Sequence, residues 1–102
     1  MEFLLLVNYR KEGARAIQER PDLLEVTDRL CKSCGVDMKE FKLVLGSFHV
    51  FLCCETDDTR SISRLIRIWK ARDEVEIEYL LAFPREEYLR LLTAPNSVPQ
   101  TA

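Results

Sequence analysis

The stretch MKEFKLVLGSFHVFLCCE, residues 38–55, predicts one β-hairpin that turns at Gly46-Ser47. Gly at the first position of a two-residue loop is typical of a type II′ turn, since only glycine adopts φ > 0 there without strain. Such a turn fixes the strand register. The apolar face then pairs Leu45 with Phe48, Leu43 with Val50 and Phe41 with Leu52. The opposite, mixed face pairs Val44 with His49, Lys42 with Phe51 and Glu40 with Cys53.

The elements around the hairpin follow from periodicity and capping. An apolar run over Glu2–Tyr9 predicts a central strand, and Pro21 opens a helix that Gly35 ends. After the hairpin, one of Asp57, Asp58 and Thr59 caps a second helix. Its apolar stripe is Ile62, Leu65, Ile66 and Trp69, and a fourth strand, Val75–Phe83, and a short helix follow.

This order, β-α-β-β-α-β plus a terminal helix, predicts a ferredoxin-like α+β fold with an antiparallel four-stranded sheet. Right-handed crossovers place both long helices on one face of the sheet. We expect residues 1–94 to form the single domain and residues 95–102 to form a flexible tail. The other sheet face carries Val44, Phe51 and Cys53, with Leu80, Leu4 and Leu6, and is too apolar to face water. We therefore expect a homodimer that packs sheet to sheet as a dimeric α+β barrel, with Val44, Phe51 and Cys53 in the interface.

Composition excludes several classes of function. The chain has 102 residues, of which 47% are hydrophobic and 31% charged, and a formal net charge of −2. This charge disfavours binding to nucleic acid or to anionic membranes, which requires concentrated positive charge. Phe48 and Phe51 are also expected on opposite faces, whereas bases stack on aromatic side chains that share one face. No segment is apolar for long enough to span a bilayer, so we expect a cytoplasmic protein whose four cysteines stay reduced.

Two segments make the chain resemble the GYD-domain family. The hairpin turn of the family reads Gly-Glu-Tyr-Asp before a Val-rich strand ending in Glu, and here it reads Gly46-Ser47-Phe48-His49 before Val50–Glu55. Residues 82–88, Ala-Phe-Pro-Arg-Glu-Glu-Tyr, resemble the aromatic-x-x-Glu-Glu-Tyr close of the family. The resemblance covers roughly residues 1 to 92 and implies the dimeric α+β barrel fold. It implies no activity, and Phe48 and His49 stand where the family has Tyr and Asp.

Few residues are candidates for chemistry. His49 is the single histidine, so it is the candidate for a general base or a haem ligand, against a structural role at the start of a strand. If the first and third strands are parallel neighbours, Asn8 lies roughly 15–20 Å from His49. Asn8 is then closer to Glu55 and Glu78, and these three polar side chains are candidate ligand-binding residues or a solvated rim of the dimer interface.

The cysteines predict packing in the core. Cys31-x-x-Cys34 lies at the C-terminal end of a helix, where the helix dipole raises thiol pKa values and disfavours redox chemistry. A zinc site would need two further ligands, from His49 and one of the adjacent Cys53 and Cys54. We expect no metal and no cofactor.

Two functions remain open. The first is a small homodimeric domain that binds a small molecule in a modest cavity or has a purely structural role. The second is a cofactor-independent monooxygenase or isomerase with its pocket between the sheet and the helices. That enzyme would need a buried, ordered polar pair in the pocket, whereas a binding module would have an apolar cavity.

Overall fold

A computed structural model describes residues 1–10 and 14–93. The predicted tail, residues 95–102, lies outside these described residues. The strands are β1 (Glu2–Tyr9), β2 (Asp37–Leu43), β3 (Val50–Glu55) and β4 (Val75–Ala82). The helices are α1 (Ala14–Gln18), α2 (Leu23–Ser33), α3 (Thr59–Arg72) and α4 (Tyr88–Thr93), with a 3₁₀ helix at Arg85–Glu87.

The four strands form one antiparallel sheet in the order β2-β3-β1-β4. This order confirms the predicted ferredoxin-like α+β fold. The expectation that β1 and β3 run parallel was wrong, because Val7 pairs with Val50 and Glu2 with Glu55 in an antiparallel ladder. The crossover through α2 gives β2 the direction of β1, and the hairpin then reverses the chain, so β3 runs opposite to β1.

Each long helix is fixed at one end by local hydrogen bonds. At the end of α2, Gly35 has a φ of +77°, the N–H of Val36 donates to Cys31 O at 2.9 Å, and the N–H of Gly35 donates to Lys32 O at 3.1 Å. This is a Schellman motif, and glycine serves there because φ is positive. Of the three candidate caps for α3, the structure selects Asp58, whose carboxylate accepts the N–H of Arg60 at 2.9 Å.

The core lies between one face of the sheet and the helices α2 and α3. Alternate residues of β1 are buried there, Leu5 and Val7 fully, and so are Val50 and Leu52 of β3. The helices bury the predicted stripes, with Leu23 and Leu30 from α2 and Ile62, Leu65 and Trp69 from α3. The other sheet face has no covering element among the described residues.

The hairpin follows the predicted register over its straight part and departs from it at both ends. Glu40 pairs with Cys53, and Phe41, Lys42 and Leu43 continue that register to Val50. At the other end, Met38 pairs with Cys54, so that Lys39 is an extra residue in a β-bulge. The turn is wider than the predicted two-residue loop. The ladder stops at Leu43 and Val50, and the N–H of Val44 donates to His49 O at 3.0 Å.

Gly46 keeps a positive φ of +137° in this loop, as the sequence required. The predicted pairing of Leu45 with Phe48 does not form, and Leu45 is 99% exposed at the hairpin tip.

The longest of the described helices, α3, has 14 residues, so none of those helices has the length and apolar character needed to cross a membrane.

Candidate ligand site on the open sheet face

The open sheet face is the side of the sheet that faces away from α2 and α3. Its centre is apolar, and the side chains of Leu4, Leu6, Phe51 and Cys53 are only half buried there by their neighbours. Leu80, beside Leu4 on β4, is 40% exposed. Charged residues surround this centre, namely Glu2, Glu40, Lys42, Glu55, Glu76 and Glu78. An apolar centre with a charged rim is the usual anatomy of a protein–protein interface.

His49 lies directly before the first residue of β3, and three of its groups contact β1. Its backbone N–H donates to Val7 O at 2.9 Å, and its Nδ1 accepts the N–H of Tyr9 at 3.1 Å. The imidazole ring also meets the Tyr9 ring edge to face, with centroids 6.4 Å apart. Because Nδ1 is an acceptor, the ring proton of neutral His49 lies on Nε2. The side chain therefore extends the β1–β3 ladder by one hydrogen bond beyond the last paired residues.

A depression of about 370 Å³ lies at the hairpin end of the open sheet face, and we name it the hairpin-end depression. Its lining residues come from β1, the hairpin loop and β4, and are Asn8, Ser47, Phe48, Glu76, Ile77 and Glu78. Glu76 forms an exposed ion pair with Arg10 at 3.4 Å. Glu78 has no ion pair among the described residues. The depression thus combines an amide, an aromatic side chain and two carboxylates, of which that of Glu76 is paired with Arg10.

The structure brings together only part of the predicted polar set. Asn8 and Glu78 share the hairpin-end depression, whereas Glu55 pairs with Glu2 at the opposite end of β1. Asn8 is also next to His49 in the ladder, since Val7 and Val50 pair, and the expected separation of 15–20 Å was wrong. That error followed from treating β1 and β3 as parallel. The two side chains nevertheless line different depressions, because His49 faces Ile17 and Gln18 of α1.

Phe48 and Phe51 do not lie on opposite faces, as regular alternation predicted. Phe51 is on the open sheet face, and Phe48 lines the hairpin-end depression on that same side. The reason is the departure from the register at His49, whose N–H donates to Val7 rather than pairing with Asn8. Sequence spacing alone could not reveal this, because the shift is made by hydrogen bonds between residues far apart in sequence, from the N–H of His49 to Val7 O and from the N–H of Tyr9 to His49 Nδ1. Regular alternation therefore did not predict Phe48 as a neighbour of Asn8.

All four cysteines are free thiols. Burial raises the pKa of Cys31 and of Cys54 to about 12, so both thiols stay protonated at neutral pH. The pKa of Cys53 is also raised, first by burial and then by the nearby carboxylates, of which Glu2 contributes most. Within the described part of the chain, no group of three or more His, Cys, Asp or Glu side chains is placed to hold a metal ion.

The core between the sheet and the helices α2 and α3 is filled by side chains. A cavity of about 20 Å³ lies between α2 and the end of α3, which is room for about one water molecule. A half-buried ion pair between Arg20 and Asp73, at 3.1 Å, lines it. No enclosed substrate pocket is therefore formed by the described residues at the contact between α2 and α3. Two more open grooves border the same layer, one of about 400 Å³ between α3 and Tyr79 of β4 and one of about 150 Å³ between α1 and the hairpin.

Fold and site together define an α+β domain of ferredoxin-like topology with an open, largely apolar sheet face. Comparison with family descriptions matches residues 3–92 to the GYD domain. The chain therefore belongs to the GYD-domain family, as the residues of the turn and of the C-terminal segment indicated. A search of curated proteins found no significant match.

Proposed function

We propose that this protein is a homodimeric binding domain that holds a small molecule at the hairpin end of its sheet–sheet interface. The observation that carries the proposal is the open sheet face, where Leu4, Leu6, Phe51 and Leu80 form a continuous apolar surface. A monomeric protein rarely exposes such a surface. Cys53 extends it on β3, and a second copy packed sheet to sheet would cover all of it. Val44, just past the end of β2, instead lines a groove with Ile17, Gln18 and His49.

The chemistry of the hairpin-end depression sets the class of ligand. The Glu78 carboxylate favours a positively charged group, and Phe48 favours an apolar or aromatic portion of the same molecule. Asn8 adds one amide that donates and accepts hydrogen bonds. We therefore propose a small organic amine with an apolar body as the ligand, bound without a metal or cofactor.

The charged residues of the open sheet face disfavour nucleic acid as a partner. Although Phe48 and Phe51 share the open sheet face, the charged strand residues around it are five glutamates and one lysine, Lys42, while Arg10 and Lys39 pair with only two of those glutamates, Glu76 and Glu55. Such a surface repels phosphates, whereas nucleic-acid sites depend on clustered Lys and Arg. The four free thiols fit the reducing conditions of the cytoplasm, where we place the protein.

Phe51→Glu tests the interface. A dimer would have to bury an unpaired carboxylate at the centre of the sheet–sheet contact, which costs several kcal/mol. We expect light scattering at micromolar concentration to show a dimer for the wild type and a monomer for Phe51→Glu. Leu24→Glu is the matched control, since Leu24 is 51% exposed on α2 and lies away from the open sheet face. A wild-type monomer would refute the dimer.

Binding of tyramine tests the ligand class. Calorimetry should detect tyramine binding to the wild type and weaker binding to Glu78→Gln by about tenfold, because one charge pair is lost. The carboxylate 4-hydroxyphenylacetate is the control of similar shape and opposite charge. Equal affinity for the two compounds, or binding of tyramine unchanged by Glu78→Gln, would refute an amine site at this depression.

A further inference from the structure

The C-terminal helix α4 has an apolar surface that its own copy leaves uncovered. Tyr88, Leu89 and Leu92 are 62%, 71% and 60% exposed, and Phe83, before the 3₁₀ helix, is 40% exposed. Within the described chain, the substantial contacts of α4 are with the 3₁₀ helix that precedes it. Three large apolar side chains on a six-residue helix are too many to face water without a function.

The length of α4 adds a second argument. Helices shorter than about 12 residues are marginal in water on their own, because nucleation is costly and few hydrogen bonds follow it. Most helical stability in proteins comes from packing of an apolar side against another surface. A six-residue helix with three such exposed side chains therefore requires a partner surface to be stable.

Helix α4 cannot pack on the hairpin end of its own sheet, because the two lie at opposite ends of the strands. Glu2 pairs with Ala82 at one end of β1, and Tyr9 pairs with Val75 at the other. The chain enters α4 from the Ala82 end, whereas the hairpin-end depression and the exposed Leu45 lie at the Val75 end. Eight residues of strand separate the two ends by about 25 Å.

We propose that α4 of each copy docks on the hairpin end of its partner, between Leu45 and Phe48, and closes the hairpin-end depression. This inference rests on the proposed homodimer. If the two-fold axis lies in the interface and perpendicular to the strands, strand direction reverses between the copies. The Ala82 end of one sheet then faces the Val75 end of the other, and both contacts form at once, as a self-complementary interface requires.

The charges and the exposed apolar side chains of the hairpin end are complementary to those of α4 of the partner copy. Each end exposes apolar side chains that the other would cover, since Leu89, Leu92 and Leu45 are 71%, 60% and 99% exposed. Arg85, in the 3₁₀ helix before α4, would approach Glu78, whose carboxylate has no ion pair among the described residues. The ligand site would then be complete only in the dimer, with one wall supplied by the partner.

Complementation between two variants tests the proposal. The first variant, Leu89→Glu with Leu92→Glu, disables α4. The second, Leu45→Glu, disables the hairpin end. All three side chains are highly exposed, so the fold should persist, as circular dichroism can verify, and Leu24→Glu again serves as the control. We expect each variant to dimerise at least about tenfold more weakly than the wild type.

A mixture of the two variants distinguishes contact with the partner from contact within one copy. The heterodimer keeps one intact contact, α4 of the second variant on the hairpin end of the first, whereas neither homodimer keeps any. Native mass spectrometry should therefore show more heterodimer than random pairing gives. Random pairing would mean that α4 packs on its own copy, and weakening by the α4 variant alone would mean that α4 packs on α4. Either result would overturn the proposal.

The remaining outcomes separate this inference from the proposed function. If the wild type is a dimer that Phe51→Glu dissociates, but both complementation variants dimerise like the wild type, α4 has no part in the interface. The sheet–sheet dimer then stands and the docking of α4 is refuted. A monomeric wild type would refute both.

Discussion

At the scale of the residue, His49 shows how one side chain can take over a backbone role. The ladder between β1 and β3 would otherwise leave the N–H of Tyr9 without an acceptor, and Nδ1 of His49 accepts it at 3.1 Å. In Asp, the side-chain oxygen Oδ1 is bonded to Cγ, as Nδ1 is in His, so the two acceptors lie equally many bonds from Cα. This equivalence gives a physical reason why His49 can stand where the turn of the GYD domain has Asp.

Substitution of His49 tests this structural role. His49→Asp keeps an acceptor at the same position, so the free energy of unfolding should change by less than about 1 kcal/mol. His49→Ala leaves the N–H of Tyr9 without its acceptor and should cost about 1–2 kcal/mol. Urea denaturation of the three proteins measures both changes. Equal stability of His49→Ala and the wild type would show that the hydrogen bond contributes nothing, and a loss of tyramine binding in His49→Asp would assign the imidazole a role in the site.

At the scale of the element, helix α3 owes its first turn to Asp58. The carboxylate accepts the backbone N–H of Arg60 at 2.9 Å and the side-chain Nε of the same residue at 3.3 Å. The backbone hydrogen bond, and then the side-chain one, lower the pKa of Asp58 below its usual range. The charged form is therefore the one that the folded state favours.

Asp58→Ala should lower the melting temperature at neutral pH, because α3 loses its cap. Because the pKa is lowered, this stabilisation is present above the pKa of the unfolded state. It is lost as the pH falls through the pKa that Asp58 has in the folded state. The difference from the wild type should thus shrink in acid. Asp57→Ala is the matched control, since the neighbouring carboxylate does not cap the helix. If the melting temperature of Asp58→Ala stays below that of the wild type by the same amount at low pH, the cap does not depend on the charge of Asp58.

The elements that could be predicted from sequence are those governed by local patterns. The stripe of α3 and the positive φ of Gly35 and Gly46 follow from periodicity and turn chemistry, and the register from Glu40 to Leu43 follows from alternation. The site could be predicted only in part. Asn8 and Glu78 meet, but Glu55 lies at the other end of the sheet, and Phe48 joins Asn8 through a shift that starts at His49. That shift depends on contacts between residues about 40 positions apart, which no local pattern encodes.

At the scale of the whole molecule, the described chain exposes more apolar surface than its own packing covers. The open sheet face, α4 and the hairpin tip each expose apolar side chains, and one two-fold arrangement would cover all three. The covering copy would also supply the missing wall of the hairpin-end depression. Ligand binding and dimerisation would then be linked, since a ligand that binds only the dimer stabilises it by mass action.

Cys53 reports on this arrangement because it lies on the open sheet face, whereas Cys31, Cys34 and Cys54 are buried in the core. We expect a thiol reagent to label Cys53 in dilute protein, and the labelling rate to fall as the protein concentration rises and the face becomes covered. The three core thiols should stay unlabelled at every concentration until the protein unfolds. Mass spectrometry of labelled peptides separates Cys53 from Cys54 by their fragments.

Phe51→Glu supplies the control for this measurement, since a variant that stays monomeric should label at a rate independent of concentration. Because the pKa of Cys53 is raised by burial and by nearby carboxylates, the rate should still be rising with pH above the range where an ordinary thiol has ionised. That rise should be seen in the wild type and in the variant alike. If Cys53 in the wild type labels equally fast at all concentrations while light scattering shows a dimer, the two copies must join through a surface other than the open sheet face.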